Sequence, residues 1–175
     1  MAHWGNEGLF EKEGIMILYH GSLTTIEKPM ILKPSRALDY GSGFYTTTSF
    51  EQAERWVHRK LSDKQPLGFV NVYVFRESAM GLVNSLIFKQ ADEEWVDFVM
   101  QNRLNPNFHH DYDIVYGPVA NDTVYAQFSL FEGGLMSKAT LIAELKTCQL
   151  VDQMLFHTEE ALAYLTFVRV EEIRK

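Results

Sequence analysis

The sequence predicts an α+β fold, and three observations carry that reading. Ile15-Met16-Ile17-Leu18-Tyr19 is a short apolar run of β-leaning residues. Phe50, Ala53, Trp56, Val57 and Leu61 recur at the spacing of an amphipathic helix. Phe69 to Phe75 alternates, with Val70, Val72 and Val74 on one side, as a strand does. Short strands and helices are interspersed irregularly along the rest of the chain.

Taken in order, the first strand ends at His20. Ser22 to Asp39 holds Pro29, Pro34 and little periodicity, so it reads as an ordered loop. Phe44 to Thr48 is a second strand, entered through Gly41 and Gly43. Ser49 starts a helix, since Ser49 and Gln52 have capping-box spacing. Asp63 to Gly68 is a turn before the alternating strand, and Leu86 to Phe88 is another short strand. Ala91 to Leu104 reads as a helix with acids in its first turn and Trp95, Phe98 and Val99 facing inward. A loop from Asn105 to Tyr112 leads to a strand from Asp113 to Tyr116, ended by Gly117-Pro118. Asn121-Asp122 caps a helix running to Glu132, where Gly133-Gly134 stops it. Ser137 to Thr147 resumes helix, and Val151 to Phe156 is a strand. Thr158 caps a short helix with Ala161, Leu162 and Leu165, and Phe167 to Ile173 closes the chain as a strand.

A length of 175 residues, with no repeat and no linker, suits one domain from 15 to 175, with residues 1–14 as an N-terminal appendage. Hydrophobic residues at 46% supply a core, and 22% charge argues against disorder. A net charge of −7 argues against sequence-blind nucleic-acid binding over the whole surface. Arg55, His58, Arg59 and Lys60 are a local exception that reads as a solvated helix face. The single cysteine, Cys148, cannot form an internal disulfide, so nothing points to an oxidising compartment. Residues 1–14 lack the pattern of a secretory signal, and no apolar run reaches the ~20 residues that span a bilayer. The expected location is cytoplasmic, with no membrane partner.

Two segments carry candidate chemistry. Tyr19-His20-Gly21-Ser22 puts an imidazole, an open glycine backbone and a hydroxyl at a strand end. A planar carboxamide needs such a paired donor and acceptor. An ordinary His-Gly turn is the other reading. In Gly41-Ser42-Gly43-Phe44-Tyr45 the glycines admit a ligand or a neighbouring strand, and Tyr45 offers a stacking ring. Trp56 supplies a second ring from the following helix, although both aromatics also suit a core. Arg36 reads either as a solvated side chain or as a bidentate partner for a pyrophosphate. Arg103 reads either as an ion-pair partner of Asp113 or Asp122, or, with Asn121 and Asp122, as part of an acceptor-side rim. His109, His110 and Asp111 lack a second ligand pair, so no metal site is expected.

The two segments, with Trp56 after them, resemble the diphtheria-toxin-like and poly(ADP-ribose) polymerase branch of the ADP-ribosyltransferase superfamily. More closely, the chain is similar to small, free-standing bacterial members of that fold, from about Met16 to Lys175. The resemblance implies a split β-sandwich, two small sheets around an NAD cleft with flanking helices. It implies that His20 holds the adenosine-side ribose, that Gly21 clamps the nicotinamide amide, and that Ser22 supports the pocket. It places Tyr45 and Trp56 as the walls of the nicotinamide slot. Where the branch often has an amide-binding serine, this chain has Ala53. Where it has a glutamate on a late strand, strand alignment gives Gln153. Its neighbour Asp152 should point to the opposite face.

The activity so implied is mono-ADP-ribosyl transfer from NAD to a macromolecular acceptor, protein or nucleic acid, with release of nicotinamide. Gln153, Tyr45 and His20 are its expected catalytic residues. The analogy extends to a bacterial toxin or defence effector guarded by an antitoxin or immunity protein. The alternative is an NAD-binding pseudoenzyme or docking module that keeps the fold without turnover.

Overall fold

The computed structural model describes residues 14–32, 38–119 and 122–175. The appendage of residues 1–14 therefore lies, except for Gly14, outside the described residues. The fold is α+β. Its strands are Ile15–Ser22 (β1), Phe44–Thr47 (β2), Leu67–Arg76 (β3), Ser85–Ile87 (β4), Ile114–Pro118 (β5), Asp152–Phe156 (β6) and Leu165–Arg174 (β7). They form one mixed sheet in the order β4-β5-β6-β2-β1-β3-β7. Among the described residues, only β4 and β5 run parallel. The helices are Phe50–Lys60 (α1), Glu93–Leu104 (α2), Asp122–Glu132 (α3), Lys138–Leu145 (α4) and Glu159–Leu162 (α5).

The caps at Ser49 and Thr158 are those the sequence predicts, and Asp92 and Ser137 add two it did not single out. Ser49, Asp92, Ser137 and Thr158 each accept a hydrogen bond from the backbone N–H three residues on. The capping box at α1 is only half made. Gln52 turns its amide oxygen to the Thr47 hydroxyl at 2.6 Å instead of reaching back to Ser49. β3 departs from simple alternation, because Asn71 and Tyr73 are as buried as Val70 and Val72. It lies between β1 and β7, with α1 over one face and the central core over the other. A 3₁₀ turn at Glu77–Gly81 had no sequence signal.

The sheet is narrowest between β1 and β2. These strands pair at one position, Tyr19 with Thr47, whereas β1 pairs with β3 along its whole length. Past Tyr19, the edge of β1 that faces β2 has no strand partner among the described residues.

Cross-strand register fixes what lies on each face, since directly opposed residues project the same way. Tyr19 opposes Thr47, Thr47 opposes Gln153, and Tyr45 opposes Leu155. These five therefore share a face. On it, α2, α3 and α4 pack over β5 and β6 through Trp95, Val99, Phe128 and Leu141. On the same face, α1 packs over β3 through Ala53, Val57 and Val70. Leu18, Phe44, Tyr73, Met154 and Phe156 build a separate core on the other face. The two helical clusters leave a gap between them, above the narrow waist of the sheet.

Candidate functional site

A cleft of about 410 Å3 occupies that gap. This is within the ~300–1,000 Å3 of typical small-molecule sites. His20, Gly21, Tyr45, Trp56 and Gln153 all line it. The two sequence segments and the late strand thus converge on one hollow.

The β1–β2 waist explains the position of His20. Its Nδ1 donates to the Tyr45 carbonyl at 2.6 Å, across the point where the ladder lapses. That carbonyl can only accept, so the Nδ1 is protonated and Nε2 is left as an acceptor. The ring also stacks on Phe44 at 4.5 Å. Burial lowers the His20 pKa, and the bond to Tyr45 only partly offsets it, so the imidazole is neutral at pH 7.

Gly21 follows on the unpartnered edge of β1. A Cβ there would meet the Ala53 carbonyl of α1 at 2.5 Å, so only glycine admits the helix this close. Tyr45 is fixed by its hydroxyl, which donates to the Gly41 carbonyl at 2.7 Å and accepts from the Tyr40 N–H at 3.2 Å. Burial raises its pKa, so it stays protonated and presents a rigid ring. Trp56 lies one turn after Ala53 on α1 and is 42% exposed. Of its two expected places, the apolar stripe of α1 and the cleft wall, it takes the second, with the Lys60 ammonium 5.5 Å from its ring.

Gln153 is 6% exposed and donates to the Pro118 carbonyl at 3.5 Å. That carbonyl also accepts from the Tyr40 hydroxyl at 2.8 Å, and Tyr40 in turn accepts from the Trp95 indole at 2.6 Å. Asp152 points away, as strand alternation requires. It accepts from the Tyr116 hydroxyl at 2.7 Å and borders a second hollow with Lys89 and Lys146.

Not every expected residue reaches the cleft lining. Ser22 does not, because its hydroxyl accepts from the Thr24 N–H at 3.2 Å in the turn leaving β1. Gly43 does not either. A Cβ there would meet the Phe156 carbonyl at 2.6 Å, so this glycine serves the approach of β6 rather than of a ligand. Arg36 and Asn121 lie outside the described residues, and Asp122 opens α3. Arg103 pairs with Asp39 and Glu132, both at 3.2 Å, and not with Asp113 as one expectation had it, while the Asp122 side chain lies outside the described residues. The helical packing of α2 against α3 turns it toward Glu132. Asp113 instead accepts from the Asn84 N–H at 2.9 Å and the Thr158 hydroxyl at 2.8 Å.

Sequence reasoning missed Asp39, Thr47, Gln52 and Tyr125, which also line the cleft. For Asp39 the available signal was its place directly before the turn that ends in Tyr45. Tyr125 gave none, because its helix shows little amphipathic contrast. Among the described residues, no group of three or more His, Cys, Asp or Glu side chains suits a metal ion. His110 and His157 do come together, with ring centroids 4.6 Å apart, beneath the Gly41–Gly43 turn. No described helix is long and apolar enough to cross a membrane.

Residues 16–167 match the profile of a family described as "Protein of unknown function (DUF3990)". That span is most of the chain, and the chain belongs to this family. Comparison with curated proteins finds no match.

Proposed function

We propose that this DUF3990 member binds NAD in the cleft and transfers its ADP-ribosyl group to a macromolecular acceptor, releasing nicotinamide. The observation that carries the reading is that His20, Gly21, Tyr45, Trp56 and Gln153, remote in sequence, line one hollow. The finer fold expectation, an ADP-ribosyltransferase-like split sandwich, belongs to the same proposal. The single β1–β2 pair at the centre of the sheet supports it.

Each residue has a role suited to its surroundings. Neutral His20 accepts a ribose hydroxyl at Nε2. The unpartnered β1 edge at Gly21 offers backbone groups to the nicotinamide amide. Tyr45 is a fixed wall and exposed Trp56 an adjustable one, closing on the ring by stacking. The amide of Gln153, held against Tyr40 and Pro118, bonds a ribose hydroxyl. Bound NAD supplies the leaving group and the electrophilic ribosyl carbon. The chain holds its two ends in a bent form and keeps the apolar helical clusters on either side of the reacting bond. A guarding antitoxin or immunity protein, and a role as toxin or defence effector, fit an enzyme of this size. That part rests on analogy.

Labelled NAD incubated with the full chain and a cell lysate tests the proposal. Label should appear on protein or nucleic acid, and His20→Ala should abolish it. A second reading, an NAD-binding module without turnover, is favoured by Gln153 standing where a glutamate is expected. Saturable NAD binding with no nicotinamide released would support it. A chain that binds no NAD contradicts both.

A further inference from the structure

We infer that Gln52 determines specificity for the nicotinamide-side ribose: its amide N–H donates to one ribose hydroxyl while the Gln153 amide oxygen accepts from the adjacent one. This rests on the NAD reading above and adds a residue to it. Both glutamines line the cleft. They flank Thr47, Gln52 through the bond to its hydroxyl and Gln153 as its cross-strand partner on β6. Directly opposed side chains start about 4.5–5.5 Å apart, so the two amides approach the same part of a ligand.

The surroundings fix which end of each amide is free. Thr47 Oγ1 lies 2.6 Å from Gln52 Oε1. That separation suits an O–H···O bond and is short for N–H···O, so the hydroxyl donates and the amide oxygen is the engaged atom. The Asp152 carbonyl, 3.1 Å from the same hydroxyl, is the weaker acceptor for its single proton. It already accepts from the Thr48 N–H at 3.0 Å and the Thr48 hydroxyl at 3.2 Å. Gln52 Nε2 therefore keeps both protons and has no hydrogen-bond partner among the described residues. At Gln153 the order is reversed. The Pro118 carbonyl can only accept, so the Gln153 nitrogen faces it at 3.5 Å and also meets the Tyr40 hydroxyl. Gln153 Oε1 is turned away and has no partner among the described residues. Neither free atom is sealed in, because the buried side-chain atoms without a partner, among the described residues, belong to Ser85, Gln127 and His157.

One amide thus offers a donor and the other an acceptor. A hydroxyl carries one proton and two lone pairs. Two adjacent hydroxyls satisfy the pair together, one giving its proton to Gln153 Oε1 and the other accepting from Gln52 Nε2. A carboxamide has the same complement, but in the NAD reading that group lies on the Gly21 backbone, which leaves the sugar for the glutamines. Of the other α1 residues at the cleft, Ala53 has no polar side-chain atom and Trp56 presents a ring.

Gln52→Met keeps length and helix propensity and removes the donor. The Thr47 hydroxyl then retains the Asp152 carbonyl, so the substitution leaves it with a partner. Three ligands are titrated calorimetrically into the full chain: NAD, an NAD analogue whose nicotinamide-side ribose lacks both hydroxyls, and benzamide, which has the carboxamide and no sugar. Wild type should prefer NAD over the dideoxy analogue by about 30-fold or more. Gln52→Met should bind NAD about tenfold more weakly, with the analogue and benzamide each within about threefold of wild type. Gln52→Ala should repeat this pattern and carries the test if Gln52→Met does not fold. Equal losses for NAD and the analogue overturn the inference, since Gln52 would then shape the cleft without touching the sugar. A comparable loss for benzamide overturns it by assigning the amide to the carboxamide. Unchanged NAD affinity in a folded Gln52→Met overturns it as well. Wild-type chain that binds NAD and the analogue equally overturns it and leaves the cleft assignment standing. Wild-type chain that binds neither NAD nor benzamide removes the cleft assignment and the inference together.

Discussion

Trp56 and Gly21 both line the cleft, yet their substitution should fail in opposite ways. Trp56 is 42% exposed, so Trp56→Ala should change unfolding free energy by no more than about 0.5 kcal/mol. NAD affinity should fall about tenfold, because a stacking wall is lost. Gly21→Ala forces a methyl to within 2.5 Å of the Ala53 carbonyl, which is backbone and cannot swing aside. It should cost about 1–3 kcal/mol in chemical denaturation, as overpacking does. A Trp56→Ala chain as destabilised as Gly21→Ala would mean that the indole is core, not wall. His20, Gly21, Tyr45 and Trp56 were legible in the sequence because each stands beside a strong local signal: a strand end, a glycine turn, a helix stripe. Asp39 was not. Its neighbours at 33–37 carry no periodicity, and only the pairing of distant helices with this turn gives the carboxylate a context.

The turn from Leu38 to Tyr45 is the element that joins the β2 strand to the helical cluster, and Tyr40 is its anchor. The Tyr40 hydroxyl is buried, accepts from Trp95 on α2 and donates to Pro118 at the end of β5. Burial raises its pKa, the bonds from Trp95 and Gln153 notwithstanding. Tyr40→Phe leaves an indole N–H without its bond and removes one donor from a carbonyl, at about 1–3 kcal/mol per orphaned group. Denaturant titration should show a loss of about 1–3 kcal/mol, because the Pro118 carbonyl keeps its bond from Gln153 and only the indole is orphaned. The Gln153 amide should lose its stop, so that nicotinamide release falls as well. Release unchanged in a destabilised Tyr40→Phe would uncouple the anchor from the site. At this scale the sequence was readable wherever a cap or an apolar stripe stood at a boundary, as at Ser49 and Thr158. Sheet order was not readable. Register between β2 and β6 pairs residues more than a hundred positions apart, and alternation within either strand does not encode its neighbour.

Across the whole molecule, three histidines tie stability to pH. Burial lowers the pKa of His20, of His110, and of His157 to about 4, the bonds to Tyr45, Tyr40 and Ser42 carbonyls being too weak to offset it. A base with a lowered folded-state pKa binds more protons when unfolded. Stability from these groups is therefore complete above their ordinary value of 6.5 and is lost as pH falls toward 4. The His157 shift alone corresponds to about 3 kcal/mol. Thermal unfolding should be flat with respect to these groups above pH 7 and drop steadily below 6.5. His157 and His110 face each other at 4.6 Å beneath the glycine turn, so charging both adds repulsion where Tyr45 is held. A midpoint that stays constant from pH 7 to 4.5 would show that these imidazoles are solvated. The sheet joins its two halves through one β1–β2 pair, and the NAD proposal depends on that narrow waist staying open to a ligand.

A crystal structure of the chain with a non-hydrolysable NAD analogue tests this most directly. The account predicts the nicotinamide ring between Tyr45 and Trp56, its amide on the backbone of Gly21, and a ribose hydroxyl on His20. Analogue bound elsewhere, or a cleft filled by the protein's own side chains at saturating analogue, would contradict it.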